Sequence, residues 1–151
     1  MANSPERIVI DTNIFISFLI SDTYGKLDQR IQNNQCRIIL SVELLEEFLD
    51  VVSRPKFKKY FSNKSVTMLL EGLQEYADLI NVKSKVNVCR DKKDNFLLNL
   101  CVDGKADFLI TGDEDLLVLK KYKKTTILKI SDYLKRWWML KRWKWILNFE
   151  F

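Results

Sequence analysis

Two short apolar runs that end in an acid constrain this chain more than anything else in it. Ile8-Val9-Ile10 runs into Asp11-Thr12-Asn13, and about a hundred residues later Phe108-Leu109-Ile110 runs into Thr111-Gly112-Asp113. A continuous apolar stretch without polar alternation marks a strand buried on both faces, as in parallel sheet. An acid at its end is carried to the carboxyl edge of that sheet, where open α/β folds bind ligands. The rest of the chain alternates in kind. The pattern predicts strands at 7–11, 36–40, 80–83, 107–111 and 125–130. Helices are predicted at about 13–20, 24–34, 42–53, from Asn63 or Ser65 to 79, 92–103, 114–121 and from Ser131 onward, with 84–90 as loop. Ser41 reads as an N-cap, Pro55 as a stop and Gly104 as a C-cap. Strands alternating with helices imply an α/β fold with a mostly parallel sheet covered on both faces.

Composition narrows the chemistry. The 151 residues suit one domain, no apolar run approaches the roughly 18 residues of a membrane span, and the N-terminus lacks a secretory pattern. A cytoplasmic protein without membrane contact is expected. Cys36, Cys89 and Cys101 are odd in number and far apart, which fits buried thiols in a reducing compartment. There is no histidine, so Ser-His-Asp and Cys-His catalysis and His-ligated zinc are excluded. Hydrolysis must use carboxylates, a metal, or Lys and Tyr. The net charge of +5 is uneven: from Lys135 to Phe151 five basic residues face one acid, and all four tryptophans lie there too.

Four places hold the acids of interest. Asp11 follows branched apolar residues, where a lone carboxylate is costly to desolvate unless it is paired or binds metal; it also suits the cap of the next helix. In helix 42–53, Leu44, Leu45, Phe48, Val51 and Val52 form one apolar face. Glu47 borders that face, whereas Glu46 and Asp50 point away. Asp91 and Asp94 precede and open helix 92–103 with capping-box spacing; capping explains both, while the functional reading puts Asp94 at a metal and leaves Asp91 as the cap. Asp113 ends its strand, and Asp115, two residues on, is either a helix-start acid or a ligand. Clustered carboxylates repel and take up protons unless a cation compensates them. Oxygen-only ligation points to Mg²⁺ or Mn²⁺.

These pieces resemble the PIN-domain family of nucleases. They are Val9-Ile10-Asp11-Thr12-Asn13, Leu44-Leu45-Glu46-Glu47-Phe48 running to Ser53-Arg54-Pro55-Lys56-Phe57, Asp91-Lys92-Lys93-Asp94-Asn95-Phe96, and Ala106 through Thr111-Gly112-Asp113-Glu114-Asp115-Leu116-Leu117. The Arg-Pro-Lys-Phe and Thr-Gly-Asp pieces look most like the toxin components of bacterial toxin–antitoxin systems. The resemblance runs from about 7 to 133 and implies a three-layer α/β/α sandwich with about five strands. It implies a ribonuclease that cleaves single-stranded RNA with Mg²⁺ or Mn²⁺, often as a homodimer, with an antitoxin protein as a partner. The metal ligands would be Asp11, Glu47, Asp94 and Asp113, with Asp115 as a fifth. Asn13 and Thr111 match the supports around the pocket. A catalytically inactive PIN-like module that binds RNA or protein is the alternative. A phosphatase with Asp on a first strand would need a second Asp where Asn13 stands, and a dinucleotide fold would need glycine motifs that are absent.

The division expected is a nuclease domain over 1–133 and a basic, Trp-rich helical extension over 134–151, which from about residue 136 matches nothing in the family. The extension either docks on the body or a dimer partner, or offers RNA stacking Trp and phosphate-binding Lys and Arg. Lys120, Lys121, Arg136, Lys141 and Arg142 are the candidate RNA contacts.

Overall fold

The computed structural model describes residues 4–21 and 25–136. Among these, six strands form one sheet in the order β3-β2-β1-β4-β6-β5. They are β1 (Glu6–Ile10), β2 (Cys36–Leu40), β3 (Ala77–Leu79), β4 (Phe108–Ile110), β5 (Lys121–Tyr122) and β6 (Thr125–Leu128). All neighbours are parallel except β5, which runs antiparallel to β6. The helices are α1 (Thr12–Ile20), α2 (Gly25–Gln32), α3 (Val42–Val52), α4 (Asn63–Tyr76), α5 (Lys92–Asp103) and α6 (Glu114–Leu117), with α7 over 130–136.

The two acid-tipped strands are the central pair. Ile8, Val9, Ile10, Leu109 and Ile110 are all buried, as the unbroken apolar runs require. The chain leaves β1 toward β2 on one side, and β4 fills the other side. The crevice between β1 and β4 is therefore the switch point of the sheet, where such folds place ligands. Right-handed crossovers put α1 to α4 on one face and α5 on the other. Phe15 of α1 meets Phe48 of α3 at 5.2 Å between rings, and α5 packs over β1, β2 and β4. The result is the expected three-layer α/β/α arrangement.

Local chemistry explains most boundaries. Ser41 accepts from the Leu44 amide at 3.1 Å and starts α3. Ser62 caps α4 through the Ser65 amide at 3.1 Å. Pro55 opens a short 3-10 turn, Pro55–Phe57, after α3 ends. Gly104 ends α5 where a Cβ would lie 2.5 Å from Ile39 Cγ2 and 2.8 Å from the Leu100 carbonyl. Only glycine lets α5 turn this close to β2.

Two expectations change. The third strand lies at 77–79 rather than 80–83, and α4 ends at 76. Its pairing with Ile38–Leu40 is reinforced by Asp78, which binds Arg7 and Arg37 at 2.7 Å each. The sheet and these ion pairs override helical periodicity. The helix predicted over 114–121 stops at 117, and β5 makes a sixth strand. Its turns use Lys120 and Lys123 at positive φ, 61° and 51°, positions where glycine or asparagine would have given a signal. The helix expected from Ser131 is α7, over 130–136. Tyr133 is fully buried and donates to Glu6 Oε2 at 2.8 Å. The remainder of the extension, with Lys141, Arg142 and the tryptophans, lies outside the described residues. Among the described residues no helix is long and apolar enough to cross a membrane. Cys36 and Cys101 are free and buried, and burial pushes the Cys101 thiol up to about 12.

Candidate metal centre

The parallel pairing of Ile10 with Ile110 sets Asp11 beside Thr111. The Asp11 amide donates to the Ile110 carbonyl at 2.9 Å. The fully buried Thr111 hydroxyl donates to Asp11 Oδ2 at 2.9 Å and accepts from the Asp113 amide at 3.1 Å. One hydroxyl thus joins the acids of both strand ends. Asp113 caps α6, its Oδ1 accepting from the Asp115 amide at 2.9 Å. From the other side, α5 delivers Asp94 in its first turn. Asp91 is the cap of that helix, accepting from the Lys93 amide at 2.9 Å.

Asp94, Asp113 and Asp115 each offer an oxygen within 4.8 Å of the others. Asp94 is only 4% exposed, and its Oδ2 is buried without a hydrogen-bond donor among the described residues. A buried polar oxygen left in this way is costly unless something compensates it. Burial first, then the Asp113 carboxyl with which it can share a proton, push Asp94 up to about 6, and the charges of Asp113, Asp91 and Asp11 add to this. Burial also raises Asp11; the Thr111 hydrogen bond opposes it, and the charges of Glu47 and Asp113 push the same way as burial. A divalent cation would supply what these groups lack. An all-oxygen set without Cys or His fits Mg²⁺ or Mn²⁺.

The expected ligands therefore divide. Asp94, Asp113 and Asp115 form the tight group, while Asp11 stands next to it through Thr111. Glu47 lies outside the 4.8 Å group and is held by protein: Thr12 Oγ1 donates to its Oε2 at 2.8 Å and Lys93 Nζ is 3.2 Å from its Oε1. Arg90 also reaches into the group, with Nη2 at 3.1 Å from both oxygens of Asp115. Asn13 is exposed, and its backbone carbonyl accepts from Ser17. Lys120 and Lys121 are exposed at the edge strand. Arg136 lies at the opposite end of the sheet, 3.5 Å from Glu6 Oε1 and 4.1 Å above the Phe108 ring.

Sequence reasoning missed the parts that hold α5 in place. Asn95 Oδ1 accepts from the Val88 and Cys89 amides at 3.1 and 2.8 Å, and its Nδ2 donates to the Cys89 carbonyl at 2.9 Å. Asn99 accepts from the Val86 amide, and Asp103 accepts from the Lys83 and Ser84 amides at 2.6 and 2.8 Å. The segment before α5 is latched along the helix, which fixes the turn that carries Asp94. Short polar residues at 95, 99 and 103 share one helical face, and that spacing was the available signal. Thr12 and Lys93 had no such pattern.

Comparisons with known proteins agree with the fold. The model of the PIN domain family matches residues 7–115. An uncharacterized protein of Methanocaldococcus jannaschii is 35% identical over 129 residues, covering 83% of this chain and 81% of its own length. The match spans both acid-tipped strands, α3 and the start of α5, and the chain belongs to the PIN domain family, whose members are in general nucleases.

Proposed function

We propose that this protein is a Mg²⁺- or Mn²⁺-dependent endoribonuclease that hydrolyses phosphodiester bonds of single-stranded RNA. The observation that carries the reading is the buried Asp94 oxygen without a donor, set among Asp113 and Asp115 at the switch point. Asp94, Asp113 and Asp115 would hold the ion, with Asp11 beside them. A divalent ion bound there supplies a water of lowered pKa and positive charge for the phosphoryl oxygens. Thr111 fixes the Asp11 carboxylate in one orientation and ties it to the backbone of Asp113. Thr12 and Lys93 hold Glu47, whose charge acts on Asp11, and from there it would orient the attacking water or accept its proton. A histidine-free chain needs no protein nucleophile for this chemistry.

Within the same reading the protein is the toxin of a toxin–antitoxin pair, acting in the cytoplasm as a homodimer and restrained by an antitoxin protein. Support for this comes from the Arg-Pro-Lys-Phe and Thr-Gly-Asp motifs. A second reading, an inactive PIN-like binding module, is favoured by one observation: Glu47 and Asp115 already have protein cations, Lys93 and Arg90. Purified protein incubated with diverse single-stranded RNAs and Mn²⁺ decides between them. Cleavage that chelator abolishes is expected. A folded protein that binds Mn²⁺ weakly and leaves every RNA intact would be the inactive module.

A further inference from the structure

We infer that the segment from Arg54 to Lys64 is a second RNA-binding surface, which grips single-stranded RNA away from the acids that cut it. The inference rests on the nuclease reading and deepens it. The twenty residues from 51 to 70 hold Arg54, Lys56, Lys58, Lys59 and Lys64 and no acid. In a body that is nearly neutral before Lys135, this is a strong local excess. All five cations are exposed. Among the described residues Arg54 alone of the five has an acid partner in an ion pair, Asp50 at 3.5 Å across an exposed i, i+4 spacing.

Aromatic rings alternate with the charges. Tyr60 is 47% exposed, with Lys59 Nζ 4.9 Å from its ring centre, and Lys56 Nζ stands 4.9 Å from the Phe57 ring. Cations that follow a phosphate backbone, interleaved with rings on which bases stack, are the chemistry of single-strand binding. Beside them an open groove of about 630 Å³ is lined by Lys58, Phe61, Ser62, Asn63 and Thr67 among others.

The surface is tied to the acid site through α3. Glu47 lies seven residues before Arg54, roughly 10 Å along a helix at 1.5 Å per residue. Phe61 folds back so that its ring is 6.4 Å from that of Phe48, the neighbour of Glu47. A strand with a phosphate beside Glu47 can therefore reach the surface within a few nucleotides. A cluster of acids repels RNA until a cation is present, so a separate positive surface that holds the strand has a clear physical use.

The test is RNA affinity against salt, on the full chain carrying Asp113→Asn to stop cleavage, with a labelled single-stranded oligonucleotide long enough to span both regions. Lys56→Ala/Lys58→Ala/Lys59→Ala is expected to lower the salt slope by about 2, from about 0.7 per lost phosphate contact on single strands. Tyr60→Ala is expected to weaken binding about 5- to 150-fold at fixed salt, the range of one stacked base. The triple arginine variant at the same three lysines keeps binding, which separates loss of charge from misfolding. With Asp113 restored, the alanine variants raise KM on long RNA while kcat, and cleavage of a dinucleotide, stay as in the wild type. Wild-type affinity and slope in the alanine variants overturn the surface and leave it to an acidic protein partner, whatever the cleavage result. RNA bound through these residues but never cut with Mn²⁺ removes the nuclease reading and keeps the surface.

Discussion

The two ends of the central strands use the same residue types to opposite effect. At the amino end each acid meets a cation or a donor. Asp78 lies between Arg7 and Arg37, Glu6 accepts from Tyr133 and faces Arg136, and Asp107 Oδ2 accepts from the Arg7 amide at 2.9 Å. The Arg37 hydrogen bond, ahead of other contributions, holds Asp78 below its ordinary value. At the carboxyl end acids face acids, and Asp11 and Asp94 are both raised. Paired charge is how the fold closes its edge. Like charges brought together cost stability, and a sheet that keeps such a cluster has a use for it.

Removing one acid from each end tests this contrast most severely. Asp94→Asn or Asp113→Asn should reduce Mn²⁺-dependent RNA cleavage by about 10³-fold, the scale on which single preorganised electrostatic groups act. Either should leave the chelated protein at least as stable as the wild type, because a source of repulsion is gone. Asp78→Ala should do the reverse. It leaves two guanidinium groups without their shared partner and should cost about 1–2 kcal/mol, lowered because the pair is partly exposed, with activity per folded molecule unchanged. Urea denaturation in chelator beside single-turnover cleavage reads both. Stability lost in Asp94→Asn with activity retained would mean that the carboxyl cluster is structural after all.

Acid titration probes the same contrast, with opposite signs at the two ends. Asp94 holds its proton more tightly folded than unfolded. Its contribution is complete below about 3.8, the ordinary carboxyl value, and is lost as pH rises through about 6. Asp78 is lowered, so its contribution is present above that ordinary value and is lost as pH falls through its depressed one. In chelator the protein should be most stable near the lower edge of the Asp94 window and should lose about 1–3 kcal/mol by neutral pH, the equivalent of one to two pKa units. Mn²⁺ should cancel the neutral-side loss, and Asp94→Asn should flatten it. Melting temperatures that are level from acid to neutral pH in chelator would contradict the coupling of these carboxyls.

What the sequence disclosed follows from this division. Asp11 and Asp113 were legible because an acid that closes a buried apolar strand can only emerge at the sheet's carboxyl edge. Glu47 could be picked from its helix by angle, and Asp94 by its place in the first turn of α5. None of these patterns measures distance, so sequence could not tell that Asp94, Asp113 and Asp115 draw together while Glu47 is held by Thr12 and Lys93. The amino-end network was invisible for a related reason. Arg7, Arg37 and Asp78 are far apart in the chain, and only the register of β1, β2 and β3 brings them together. That network then moved β3 to 77–79, earlier than hydrophobic pattern predicts. The hairpin of β5 and β6 was hidden because lysines, not glycines, take the left-handed turns.

A weaker effect decides whether Asp115 belongs to the acid site or is balanced as the amino-end acids are. Arg90 is 88% exposed and reaches both Asp115 oxygens at 3.1 Å. An exposed pair of this kind is worth about 0.2–1 kcal/mol, so Arg90 competes only weakly for that carboxylate. If Asp115 helps hold the ion, Arg90→Ala should raise Mn²⁺ affinity about 1.5- to 5-fold, measured by calorimetry without RNA. Arg37→Ala at the amino end should leave that affinity alone while lowering stability. Weaker Mn²⁺ binding in Arg90→Ala would show that the guanidinium positions Asp115 and does not compete for it. An unchanged affinity would place Asp115 with Asp78, as an acid already balanced by protein, and reduce the tight group to Asp94 and Asp113 with Asp11 at their side.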